Sequence, residues 1–211
     1  MDFSLIETLR WEPVAGFVRL ERHLARLAHS ADLLGMEGAE KAKAALSGLA
    51  HSETPLRIRL ELFPNGRIEV QTAVFTPLPP GTIWKLKIAE TRLASTDPLL
   101  RHKTSRRDVY MQARAEFSGL EADEVILLNE YGDLCEGTIT SLFVDDGSGV
   151  LKTPPLAAGL LAGVLRAELI EKGMAVEKRL RPEDLSEGRI FAGNSLRGLI
   201  PAVFVRAVNA G

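Results

Sequence analysis

PLRIRLELFPNGRIEVQTA, residues Pro55–Ala73, decides the fold class. Leu56, Ile58, Leu60 and Leu62 occupy every second position with charged residues between them, the period of a half-buried strand. Asn65-Gly66 supplies a tight turn, and Ile68 to Ala73 returns as the second strand of a hairpin. Upstream the period changes. Leu20, Leu24, Leu27, Ala31 and Leu34 recur at spacings of three and four, which predicts an amphipathic helix ending before Gly35. A second helix is expected over Ala39 to Leu49. Ser4 to Trp11 reads as a strand, followed by a turn at Glu12-Pro13 and Gly16 into a second short strand.

Beyond the hairpin, Pro77, Pro79, Pro80 and Gly81 break the chain, and Trp84 to Ala89 reads as a strand. Glu90 to Arg107 has no clean period and is rich in charge, as expected of a linker or a functional loop. Asp108 to Phe117 is helical by pattern. Strands are expected at Glu124–Leu128, Gly137–Val144 and Val150–Lys152, then a helix over Leu160–Lys172. Val176–Leu180 reads as a strand, Pro182–Leu185 as a short helix, and Arg189–Ala192 and Val203–Val208 as closing strands. Helices and strands mix without strict βαβ alternation, so the class is α+β. The expected division is a smaller lobe over 1–89 and a larger one over 90–211.

Composition narrows the function. Apolar residues make up 45% and charged residues 26% of 211 residues, as in a globular chain that buries a core. Lys plus Arg number 26 against 28 Asp plus Glu, so the basic excess of a nucleic-acid binder is missing. No apolar run reaches the roughly 18 residues of a membrane span, and Met1 to Leu5 lacks the pattern of a signal peptide. Cys135 is the single cysteine, which excludes an intrachain disulfide and favours a reducing, cytoplasmic setting. His23, His29, His51 and His102 show no metal-ligand spacing; His23 reads as a packing residue and Cys135 as a small strand filler.

Six phrases stand out in chain order. They are Ile6-Glu7-Thr8-Leu9-Arg10; Arg22-His23-Leu24-Ala25-Arg26-Leu27; His102-Lys103-Thr104; Glu136-Gly137-Thr138 running into Phe143; Thr153-Pro154-Pro155-Leu156 running to Gly163-Val164-Leu165-Arg166; and Gly193-Asn194-Ser195-Leu196-Arg197-Gly198. Together they resemble the class IV aminotransferase family, the fold-type-IV pyridoxal 5′-phosphate enzymes. Within it, Glu7 to Pro13 and Asn194 to Gly198 are most similar to aminodeoxychorismate lyases of folate biosynthesis, especially the lyase domain fused to component I of aminodeoxychorismate synthase. Many members carry a further strand and loop before the Glu-Thr-x-Arg strand. A substrate-lid residue placed there would be missing or supplied by a neighbouring subunit.

The resemblance implies a two-lobed fold-type-IV enzyme with the cofactor at the lobe interface, a small-molecule amino substrate, a homodimer, and no nucleic-acid or membrane partner. It makes Lys103 the catalytic Schiff-base lysine, which needs a partly neutral amine and hence burial or neighbouring positive charge. It sets Glu136 against the pyridine nitrogen, where a carboxylate keeps the ring protonated. Arg26 would pair with the phosphate through its planar fork; by position alone it is a helix-surface arginine. The backbone amides of Val164 and Leu165 would add a helix N-terminus to the same dianion. Asn194 and Ser195 could contribute an amide or hydroxyl, or form a plain turn. Arg107 and Arg197 are candidate partners of substrate carboxylates. The implied reaction is that of 4-amino-4-deoxychorismate lyase. A class IV aminotransferase for branched-chain or D-amino acids would share this machinery and differ in needing a keto acid. A non-catalytic member of the fold would take up no cofactor at Lys103.

Overall fold

A computed structural model describes residues 2–48 and 52–206; Leu49 and His51, and Ala207 and Val208 of the expected last strand, lie outside the described residues. The chain divides into two compact units, Met1–Leu78 with His102–Arg106, and Pro79–Arg101 with Arg107–Gly211. The expected boundary at Ala89 falls inside a strand of the second unit.

In the first unit the order is β1 (Leu5–Glu12), β2 (Gly16–Val18), α1 (Leu20–Leu33), a 3₁₀ turn (Ala39–Lys41), α2 (Ala42–Ser47), β3 (Leu56–Leu62) and β4 (Ile68–Val74). The strands form an antiparallel sheet in the order β2-β1-β3-β4. Register follows the alternation seen in the sequence. Leu5 opposes Leu62 and Leu9 opposes Ile58, and this face packs on Leu27 and Ala31 of α1 and Ala42 and Leu46 of α2. Glu7 lies between Leu5 and Leu9 on that same apolar face, opposite Leu60. The single expected helix over Ala39 to Leu49 is instead a 3₁₀ turn followed by six residues of α-helix.

The stretch without a period holds the least expected feature of this unit. Within it, residues 103–105 run antiparallel along a free edge of β1. Ile6 N–H donates to the Lys103 carbonyl at 2.8 Å, Ser105 N–H donates to the Ser4 carbonyl at 2.9 Å, and Leu5 faces Thr104 between them. Three residues in a bridge carry no alternation long enough to read, which is why pattern alone left the segment open.

The second unit contains β5 (Trp84–Leu93), a 3₁₀ turn (Pro98–Arg101), α3 (Asp108–Ala115), β6 (Glu124–Asn129), β7 (Leu134–Gly137), β8 (Ser141–Asp145) and β9 (Leu151–Thr153). A further 3₁₀ turn (Leu156–Ala158), α4 (Val164–Glu171), β10 (Ala175–Glu177), α5 (Asp184–Glu187), β11 (Arg189–Asn194) and β12 (Gly198–Phe204) complete it. The sheet order is β10-β9-β8-β11-β12-β5-β6-β7, and β7 also pairs with β8. Six strands therefore close into a ring, with β9 and β10 extending from it. The closing pair is Glu136 opposite Ser141.

Three expected elements change; the last strand, expected over Val203–Val208, is instead Gly198–Phe204 within the described residues. The strand over Gly137–Val144 is two strands, because residues 138–140 turn back onto a buried carboxylate, with only Thr138 N–H also reaching the Val125 carbonyl of β6. The helix expected from Leu160 starts at Val164, since Gly163, in extended conformation, caps it. A Cβ on Gly163 would lie 2.6 Å from Ser141 Oγ, so a larger residue there requires the Ser141 hydroxyl to move.

Candidate active site

The first unit builds a buried charge cluster. Strand β1 points Glu7 at α1, where His23 and Arg26, three residues apart, share one face. Arg26 Nε donates to Glu7 Oε1 at 2.8 Å and an Arg26 Nη donates to Oε2 at 2.6 Å, a two-pronged pair. His23 Nδ1 meets Glu7 Oε2 at 2.6 Å. An ionised carboxylate only accepts, so this nitrogen carries the hydrogen. Burial alone would raise the Glu7 carboxyl; the Arg26 guanidinium and the His23 and Arg26 hydrogen bonds outweigh it and hold the group at about 2. His23 shifts the other way from a charged partner's usual effect. Burial pushes its imidazole down, with the Arg26 and Lys103 charges, against the pull of Glu7. His23 is thus a neutral donor locked to a carboxylate, more than the packing residue expected. The Lys103 amine lies within electrostatic reach of this cluster. Lys103 is half-buried, and its backbone is fixed to β1.

Arg26 does not stand as a lone phosphate ligand. Two of its N–H groups are engaged by Glu7, so it would meet an anion as one half of an ion pair.

The second unit arranges the remaining candidates around the turn between β7 and β8. Glu136 Oε1 accepts from the Tyr110 hydroxyl at 2.7 Å and from Leu161 N–H at 3.1 Å. Arg107, just before α3, donates to the Thr138 carbonyl and lies over the Tyr110 ring at 4.7 Å. Asn194 Nδ2 donates to the Ile139 carbonyl at 3.2 Å, while its Oδ1 accepts from Arg197 N–H at 2.9 Å. The Asn194 side chain thus holds its own turn. Ser195 follows in that turn and is buried. Val164 and Leu165, both buried, open α4, and among the described residues their N–H groups have no acceptor. Two orphan donors with a helix dipole behind them suit an anion.

What fixes the turn is Glu124, which sequence reading passed over. This fully buried carboxylate accepts from the N–H groups of Val125, Thr138 and Ile139 and from the hydroxyls of Thr138 and Thr140. Its partners are all neutral. A Cβ on Gly137 would come within 2.7 Å of the carboxyl and 2.5 Å of Thr140 Oγ1, so the turn closes only with glycine there. Removing the carboxylate strands several buried donors, each costing roughly 1–3 kcal/mol. Glu124→Ala is therefore expected to destabilise the protein by about 3 kcal/mol or more in urea titrations and to speed amide exchange at Thr138 and Ile139. Unchanged exchange at both amides would contradict this account. A glutamate ahead of an apolar run was the available signal, but nothing in the sequence indicates that it turns inward. Tyr110 was also missed; its position in the first turn of α3, three residues after Arg107 at the N-cap, was the clue.

The comparisons add kinship to this geometry. The sequence model described as "Amino-transferase class IV" matches residues 4–204. A Thermotoga maritima protein named as a probable branched-chain-amino-acid aminotransferase is 33% identical over 196 residues, covering 84% of this chain and 69% of that protein. A Schizosaccharomyces pombe protein provisionally named an aminodeoxychorismate lyase is 27% identical over 195 residues, covering 88% and 84%. Among solved structures, a Mesorhizobium loti protein provisionally described as an amino-acid aminotransferase superposes with a TM-score of 0.91 at 50% identity, covering 97% of this chain and 100% of that one.

Proposed function

The chain belongs to the class IV amino-transferase family, and from that premise we propose that it is a 4-amino-4-deoxychorismate lyase, giving 4-aminobenzoate and pyruvate. Members of this family use pyridoxal 5′-phosphate. The residues present fit that group on one structural observation above others: the N–H groups of Val164 and Leu165, which open α4 and have no acceptor among the described residues, match a phosphate. When bound, the cofactor supplies an electron sink that stabilises negative charge on the carbon bearing the substrate amine.

In this reading Lys103 holds the cofactor and takes the proton from that ring carbon. Glu136 keeps the pyridine nitrogen protonated. Arg26, the Val164 and Leu165 amides and Ser195 hold the phosphate, with Asn194 shaping the turn. Arg107 and Arg197 orient substrate carboxylates. Loss of the enolpyruvyl group as pyruvate leaves an aromatic ring, so the protein's own task is positioning and proton handling. We read the working form as a homodimer.

The observation supporting the lyase is the pairing of two arginines with one turn. The Arg107 guanidinium donates to the Thr138 carbonyl, and the Arg197 backbone N–H donates to Asn194 Oδ1, whose amide donates to the Ile139 carbonyl, so both residues flank one turn. Two guanidinium groups suit a substrate with two carboxylates, and 4-amino-4-deoxychorismate has two. An aminotransferase acting on branched-chain or D-amino acids is the second reading, favoured by the 50% identity to the Mesorhizobium loti protein.

One assay separates them. Protein reconstituted with pyridoxal 5′-phosphate is mixed with 4-amino-4-deoxychorismate without keto acid, and 4-aminobenzoate and pyruvate are followed together. Equal amounts of both are expected. No product, with amino transfer to a keto acid from a branched-chain or D-amino acid, would replace the lyase by the aminotransferase.

A further inference from the structure

We propose that Tyr110 is a positioning residue that sets the proton affinity of Glu136, and through it how firmly a bound pyridine nitrogen keeps its proton. The inference rests on the reading of Glu136 as the partner of that nitrogen. Its basis is the geometry at one oxygen. Glu136 Oε1 takes a hydroxyl donor at 2.7 Å and a backbone donor at 3.1 Å from two different elements, α3 and the loop before α4. Two donors on one oxygen orient the carboxyl plane.

The donors are also unequal in kind. Leu161 N–H is fixed by the backbone and cannot be tuned. The Tyr110 phenol is a side-chain donor whose hydrogen bond lowers the basicity of Glu136, because a donor to a carboxylate stabilises its ionised form. Burial and the charge of Glu136 push the Tyr110 hydroxyl far above its ordinary range, with Cys135 adding and Arg107 opposing, so it remains a donor across the working pH range. The Arg107 guanidinium over its ring holds the phenol in place. Neither Cys135 nor Arg107 offers an alternative donor to this oxygen among the bonds described.

The direction of the effect follows. With the Tyr110 bond in place, the proton shared between Glu136 and the ring stays on the ring. Without it, Glu136 competes better for that proton. A charge-assisted hydrogen bond is strong enough to move such a balance on the order of tenfold.

The test uses the whole chain loaded with pyridoxal 5′-phosphate labelled with 15N in the ring, and reads the nitrogen resonance, which reports protonation without turnover. Tyr110→Phe keeps the ring and loses only the hydroxyl. It is expected to move the resonance toward the unprotonated value, in the direction of Glu136→Gln, and to lower turnover roughly tenfold. A second measurement guards against a folding effect. The chain has two tyrosines, so 3-fluorotyrosine incorporated into a Tyr131→Phe protein labels position 110 alone. Fluorination makes the phenol a stronger donor and is expected to move the resonance the opposite way. A resonance unmoved by both changes would overturn the proposal and leave Tyr110 a packing residue. Protein that takes up no cofactor, with no borohydride-trapped adduct at Lys103, would overturn the reading of the site and this inference with it.

Discussion

Lys103→Ala is expected to lower turnover on the order of 10⁴-fold or more, while the folded protein keeps its shape and nearly all its stability. The separation of the two effects comes from how the residue is held. Its tie to β1 runs through its carbonyl, with Thr104 and Ser105 continuing the same edge by backbone bonds. Alanine preserves every one of these. The side chain beyond Cβ is lost, and with it the amine's charge near His23. Product formation, far-UV circular dichroism and urea midpoint measured on one preparation check the expectation. A second signature accompanies it: the His23 titration should rise when the Lys103 charge is gone, which NMR of the imidazole can follow. A variant with full activity would remove Lys103 from the chemistry altogether.

Glu7→Gln is expected to have the largest effect on stability, about 3–5 kcal/mol, because it leaves the Arg26 guanidinium without its counter-charge beside a buried histidine. Glutamine keeps the size and one acceptor oxygen, so the loss isolates charge from packing. Urea titration measures it, and a change under 1 kcal/mol would mean that the pair contributes little. The same cluster predicts an acid limit. The folded-state pKa of Glu7 is depressed to about 2 from an ordinary 4.5. Its stabilisation is therefore full above about 4.5 and is lost as pH falls toward 2, amounting to about 3 kcal/mol. His23, also depressed, acts with the same sign from a higher starting pH. The Glu7→Gln protein should show a flatter stability profile over that acid range.

Much of the fold was legible from period alone. The hairpin at Pro55–Ala73 and the α1 stripe each bury one regular face, so apolar spacing reports them directly. The breaks were not. Gly137 to Val144 looks like one strand because its middle residues are small, β-branched and compatible with extension. The turn exists because Glu124, more than ten residues upstream, collects their donors. That is a tertiary fact with no local trace. The phrases around Lys103, Glu136 and Val164 were found by resemblance, while the bridge at Lys103, the strand break after Glu136 and the helix start at Val164 had no local period to report them. The partners Glu7 and Tyr110 were hidden for one reason: each is a common residue whose role appears only when a second element supplies the other half of the bond.

The placement of residues 103–105 on the edge of β1 has a consequence for how the polypeptide is made. The first unit is not contiguous in sequence, since its last strand-like piece arrives after the chain has left at Leu78 and returned at His102. A nascent chain that has emerged only as far as the hairpin still shows an open edge at Ser4, Leu5 and Ile6, the kind of unpaired backbone that invites pairing with other chains. Closing it requires about thirty further residues to leave the ribosome, a delay of roughly one and a half to six seconds at ordinary synthesis rates. Folding of the amino-terminal unit is thereby timed by synthesis of the very segment that carries Lys103, so the unit completes its sheet and acquires the lysine proposed to hold the cofactor in the same event.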